Sequence, residues 1–217
     1  MYACISENFR VFRGLTAFYA FPTRRISMKR FVAALLVLVS PAVFAHTGHP
    51  VEGLLSGWVH PFMGLDHLLA MLSVGLWAAF IARDLRQCGY LPLAFIAFMA
   101  AGGALGASGF SLPVADSAIA LSVLLLGAFV CAMARVSLPL AMALVALFAA
   151  FHGFAHGAEM QNGVDFTGYA AGFSAATAVL HGAGIVLGRL LVRIPALYRA
   201  TGMVIGATGF VLLSQSV

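Results

Sequence analysis

Residues 138–157 read LPLAMALVALFAAFHGFAHG, twenty positions without one Asp, Glu, Lys or Arg, with Pro139 next to the start. That length falls within the ~17–25 residues a helix needs to cross bilayer hydrocarbon. Five more apolar runs surround it, at about 60–82, 91–109, 118–134, 168–192 and 198–214, of which 118–134 is the shortest. In lipid only helices and closed barrels satisfy their own backbone, and none of these runs alternates with the period of two that a barrel strand requires. The separators carry turn and helix-breaking residues: Gly89-Tyr90-Leu91-Pro92, Ser111-Leu112-Pro113, Ser137-Leu138-Pro139 and Ile194-Pro195. The expected fold is all-α: a polytopic membrane protein with about six transmembrane helices.

The whole composition agrees. Of 217 residues, 62% are hydrophobic and 9% charged, and the mean hydropathy is +1.01, more apolar surface than one soluble core of this size encloses. The formal charge of +5 is no nucleic-acid footprint, because the basic residues lie at the extreme N-terminus or in short loops between apolar runs. Cys4, Cys88 and Cys131 are too few and too scattered for a disulfide framework or a CxxC metal site.

Residues 28–45 have the layout of a cleaved signal peptide: Met28-Lys29-Arg30, the apolar Phe31 to Val39, then Ser40, Pro41 and the small-residue ending Val43-Phe44-Ala45. Its apolar core is about half of the ~20 residues a span needs. Cleavage after Ala45 makes His46 the mature N-terminus. Residues 1–27 add nothing signal-like ahead of Met28, which is the expected start, and 46–217 form the six-helix domain.

Cleavage puts the mature N-terminus on the periplasmic face of a bacterial inner membrane, and six spans then alternate. Past the signal the only Lys or Arg residues are Arg83, Arg86, Arg135, Arg189, Arg193 and Arg199. All fall in or beside loops this topology makes cytoplasmic, as the positive-inside rule requires. The outer loops hold Asp116 and Asp165. Glycine pairs four apart, at Gly102/Gly106, Gly153/Gly157, Gly168/Gly172, Gly184/Gly188 and Gly202/Gly206, allow close helix packing. Two three-helix halves raise an inverted repeat as one arrangement.

Function is sought among the polar residues that lipid should forbid. The first span opens His60-Pro61-Phe62-Met63-Gly64-Leu65-Asp66-His67. Pro61 suits the first turn of a helix, which predicts a helix beginning there and Asp66 and His67 about 8–9 Å into the membrane. An aspartate at that depth costs on the order of 2.5–3.5 kcal/mol, which something must offset. On such a helix His60, Met63, His67 and Met71 share one face. The fourth span closes His152-Gly153-Phe154-Ala155-His156-Gly157-Ala158-Glu159, with both histidines and Glu159 on one face and at a matching depth. Imidazole and carboxylate together suit Ni, Zn, Cu or Fe. Two clusters at one level predict a shared metal site. Candidate secondary stations are His181, deeper in the fifth span, and His46 and His49, a metal-catching mouth at the mature N-terminus.

HPFMGLDH and FHGFAHGAE resemble the signature segments of the HupE/UreJ family of nickel permeases, and the likeness covers residues 46–217. It implies that His60, Asp66, His67, His152, His156 and Glu159 handle metal. It also implies a nickel (or cobalt) cargo, no prosthetic group, no enzymatic activity, and an indirect link to hydrogenase or urease maturation. The partners expected are a divalent ion and the lipid bilayer. Two rivals stay open: a bis-histidine haem protein, and an intramembrane metal-dependent hydrolase with Glu159 or Asp66 as base. No Walker-type loop is present, so ATP hydrolysis by this chain is not expected.

Overall fold

The computed structural model describes residues 49–160 and 165–216. The 1–27 extension, the 28–45 signal peptide and His46 lie outside the described residues, as does the side chain of His49. The described chain is built of helices: α1 (His49–Val59), α2 (Leu65–Ile81), α3 (Tyr90–Ala107), α4 (Ala115–Ala132), α5 (Leu138–Glu159), α6 (Phe166–Leu191) and α7 (Pro195–Gln215). No strand occurs among the described residues.

Helix ends follow from local chemistry. Ser137 is extended and Pro139 sits in the first turn of α5, where the missing proline N–H costs nothing; Pro195 opens α7 in the same way. Asp165 caps α6, its Oδ2 accepting the Gly168 N–H at 2.6 Å. Met133 ends α4 in the left-handed conformation (φ 51°), its N–H returning to the last turn.

Five helices are long and apolar enough to cross a membrane, namely α3 with the turn before it and α4 to α7; the pair Gly53–Phe62 and Leu65–Ile81, bent by 79°, passes the same test only when its two parts are taken together, and makes six crossings if it is one broken span. This corrects the continuous first span expected from 60 onward. Pro61 lies in a short 3-10 turn, His60–Phe62, and Gly64 is extended (φ −108°, ψ 129°), so α2 starts at Leu65. Asp66 therefore sits in the first turn of α2 rather than about one and a half turns down a helix from Pro61. The expected four-residue stripe also breaks: Met63 is 79% exposed while Met71 is fully buried.

Glycines set the helix pairing. A β-carbon on Gly102 or Gly106 of α3 would strike the carbonyl oxygens of Ala150 and Phe154, and one on Gly153 or Gly157 of α5 those of Met99 and Gly103. Both helices thus use their glycine pair to bring backbones into contact, and residue numbers rise together along the contact, so α3 and α5 are parallel. Gly75 and Gly184 bring α2 and α6 together, also parallel, while Gly127, Gly202 and Gly209 join α4 to α7 antiparallel. These directions are those of six alternating spans. The pairing first–fifth, second–fourth, third–sixth is unchanged when the halves are exchanged, the pattern an inverted repeat would produce.

The six arginines fall at one end of this bundle, in or beside the α2–α3, α4–α5 and α6–α7 connections. An aromatic layer closes that end. Trp77 Nε1 donates to the Ala134 carbonyl at 2.9 Å and its ring stacks on Phe129. Tyr198 donates to the Leu76 carbonyl at 3.0 Å, and the Arg135 guanidinium lies 4.6 Å from the Phe80 ring centroid.

Candidate metal centre

The opposite end gathers the polar residues. At the start of α2, Oδ1 of Asp66 accepts the backbone N–H of His67 at 2.8 Å and also lies 2.6 Å from Nδ1 of the same residue. A carboxylate belongs in a helix's first turn, where free N–H groups and the dipole offset its charge. Gly64 makes room for it, since a β-carbon there would meet Asp66 Oδ1 and crowd His67 Nδ1. Nδ1 of His67 stands beside the carboxylate without meeting it in hydrogen-bond geometry, and Nε2 has no hydrogen-bond partner among the described residues either.

The bend between α1 and α2 brings His60 back over this position. Its ring centroid lies 5.9 Å from that of His67 and 4.7 Å from that of His156. His156 arrives from α5 and meets His67 at 4.2 Å between centroids. One ligand nitrogen from each of His60, His67 and His156 lies within 4.8 Å of the others. Donors held at ~2.1 Å by one ion sit roughly 3–3.4 Å apart, so the rings need only draw in by roughly 1 Å. Glu159 approaches from the end of α5, its Oε2 3.8 Å from His60 Nε2, and is more than half exposed. Neither ring nitrogen of the buried His156 has a hydrogen-bond partner among the described residues. Orphaned buried imidazoles carry a desolvation cost, which ion binding would relieve.

His152 lies one turn, ~6 Å, deeper than His156. Its Nδ1 is 2.9 Å from the Phe148 carbonyl, and its ring is 5.5 Å from that of His67. Below it, Phe95 of α3 touches both His152 (5.6 Å) and His181 (5.0 Å). His181, fully enclosed in α6, thus shares the Phe95 ring with His152. All six primary positions expected from the sequence converge, with His181 beyond them. Sequence reasoning missed Tyr169 and Phe173, whose rings wall the cluster at 5.9 Å from His60 and 4.1 Å from His156, and it missed Phe95. Aromatic residues in apolar helices carry no signal that separates a site wall from ordinary packing.

The fold and the site together define a class: a multi-spanning helical membrane protein with a histidine–carboxylate cluster between α2 and α5. The family of the HupE / UreJ protein matches residues 33–212, and the chain belongs to that family. It is 42% identical over 162 residues to Protein HupE of Rhizobium leguminosarum bv. viciae, a stretch covering 74% of this chain and 84% of that one. No solved structure matches.

Proposed function

We propose that the protein is a permease that imports nickel, with cobalt as an alternative cargo, across the bacterial inner membrane. The observation that carries this reading is the meeting of His60, His67 and His156 within 4.8 Å, beside two carboxylates and at one end of an otherwise apolar bundle. Membership of the HupE/UreJ family supports a nickel or cobalt transport role in general. The choice of nickel rests on family likeness, since imidazole and carboxylate accept both ions.

The ion enters at the exposed Glu159 and His60 and loses part of its water to His67 and His156, while Asp66 and Glu159 supply negative charge. It continues past His152 to His181. Mixed His/carboxylate sites without thiolates bind strongly enough to select and weakly enough to release. The cluster-bearing end faces the periplasm and the arginine-bearing end the cytoplasm, after signal cleavage at Ala45, with His46 and His49 as the capturing mouth. No prosthetic group and no catalysis form part of this reading, and the imported metal would serve hydrogenase or urease maturation. His67 and His156, 4.2 Å apart, stand too close for a macrocycle to pass between them, which favours an ion over haem.

The test is accumulation of radioactive nickel at nanomolar supply in cells expressing the intact chain, His67→Ala or His156→Ala, with cobalt as competitor. Uptake lost in both variants at unchanged membrane abundance supports the permease. Uptake no higher than in empty cells overturns it, and stoichiometric zinc that stays bound would then favour the hydrolase.

A further inference from the structure

At the level of His152, α2, α3 and α6 bring together three neutral donors that the histidine motifs do not account for. Thr177 is fully buried, and its hydroxyl donates to Sδ of Met71 at 3.5 Å, with Sδ of Met99 3.8 Å away. Met71 is fully enclosed and Met99 nearly so. Met71 lies one turn beyond His67 on α2, and Thr177 one turn before His181 on α6, each step ~6 Å. Met99 lies one turn from Phe95, whose ring touches both His152 and His181. The three donors therefore lie at the level of His152, one turn inward of His67 and one turn outward of His181.

Packing alone explains this arrangement poorly. A threonine hydroxyl inside a helix ordinarily turns back to a carbonyl of the preceding turn, yet this one faces two thioethers, which are weak acceptors. The volume of either methionine could be filled by leucine without any sulfur. Here three helices each direct a donor to one point. Nε2 of the fully buried His152 has no hydrogen-bond partner among the described residues, so an unsatisfied nitrogen borders the same level.

We propose that Met71, Met99 and Thr177 form a second, soft station that holds a partly dehydrated borderline divalent ion on its way from the outer cluster to His181 and rejects hard cations. The proposal rests on the permease reading. Thioether sulfur suits soft and borderline metals, whereas Mg²⁺ and Mn²⁺ favour oxygen donors and Mg²⁺ gives up its water reluctantly. With no carboxylate among the three donors, the station binds weakly, as a point of passage must.

The experiment compares the full chain with M71L/M99L, which keeps core volume, and with Thr177→Val and Thr177→Ser. Ni²⁺ equivalents bound by purified protein in detergent are measured beside nickel uptake in cells, with Mn²⁺ as competitor. The expected result for M71L/M99L is one bound equivalent fewer, an uptake at least tenfold lower, and inhibition by Mn²⁺ at lower concentration. Thr177→Val should share these effects in weaker form, and Thr177→Ser should restore them to the intact values. Unchanged stoichiometry with uptake within twofold of the intact chain would overturn the station. Should the intact chain accumulate no nickel, the permease reading fails by itself and passage with it, and the bound equivalents decide the site: a lost equivalent upholds metal binding at these three residues and an unchanged number overturns it.

Discussion

Nδ1 of His67 lies 2.6 Å from Oδ1 of Asp66, its neighbour in the first turn of α2. In the metal site proposed above, a carboxylate beside Nδ1 would favour the tautomer that leaves Nε2 for the ion, the relationship by which outer carboxylates tune metal-binding histidines.

Asp66→Asn keeps the side-chain shape and removes the charge. Nickel uptake is expected to fall roughly 10–100-fold at unchanged membrane abundance, with Asp66→Glu recovering part of it. Full uptake by Asp66→Asn would show that the aspartate only caps the helix.

Glu159 stands at the exposed rim, 3.8 Å from His60, a position that in the proposed permease suits capture more than passage. Glu159→Gln is expected to raise the half-saturating nickel concentration by roughly 3–10-fold, most strongly at low ionic strength, where steering by charge is largest. The maximal rate should change by less than twofold. Uptake measured across a nickel series at two salt concentrations separates the two quantities.

Gly153 touches the Met99 backbone so closely that any β-carbon collides with it, whereas a β-carbon on Gly182 meets nothing within 4 Å. Gly153→Val should therefore destabilise the α3–α5 pair by about 1–3 kcal/mol, and Gly182→Ala should stay within about 0.5 kcal/mol of the intact chain. Thermal unfolding of the purified proteins in one detergent makes the comparison.

With the bent α1–α2 pair taken as one span, six alternating spans with all the described arginines at one end predict where fused reporters will function. Alkaline phosphatase joined after Gln215 should be active in the periplasm. A fluorescent protein joined after Arg193 should mature in the cytoplasm. The reverse pattern would invert the orientation proposed here.

Much of this protein is legible in its residues alone. Apolar runs of crossing length leave helices as the solution, because lipid offers backbone groups no partner. The arginine pattern implied spans that alternate, and the directions of the α3–α5, α2–α6 and α4–α7 contacts agree with it. The motifs around Asp66 and His156 stood out because ionisable groups are rare in hydrocarbon. The first span differs at one point: a helix beginning at Pro61 suits local propensity, but the chain is extended at Gly64, where the Asp66 carboxylate fills the space a β-carbon would take, and periodicity does not encode that.

Helical content, the apolar runs long enough to cross and the identity of the polar residues thus follow from the sequence by itself, since each depends on a residue and its near neighbours. Only the tertiary structure decided that His60 folds back onto His156, that Glu159 reaches His60, and that Met71, Met99 and Thr177 meet at one level. Those distances depend on how glycine faces of helices far apart in the chain dock against one another, and nothing along a single helix specifies which partner that face will find.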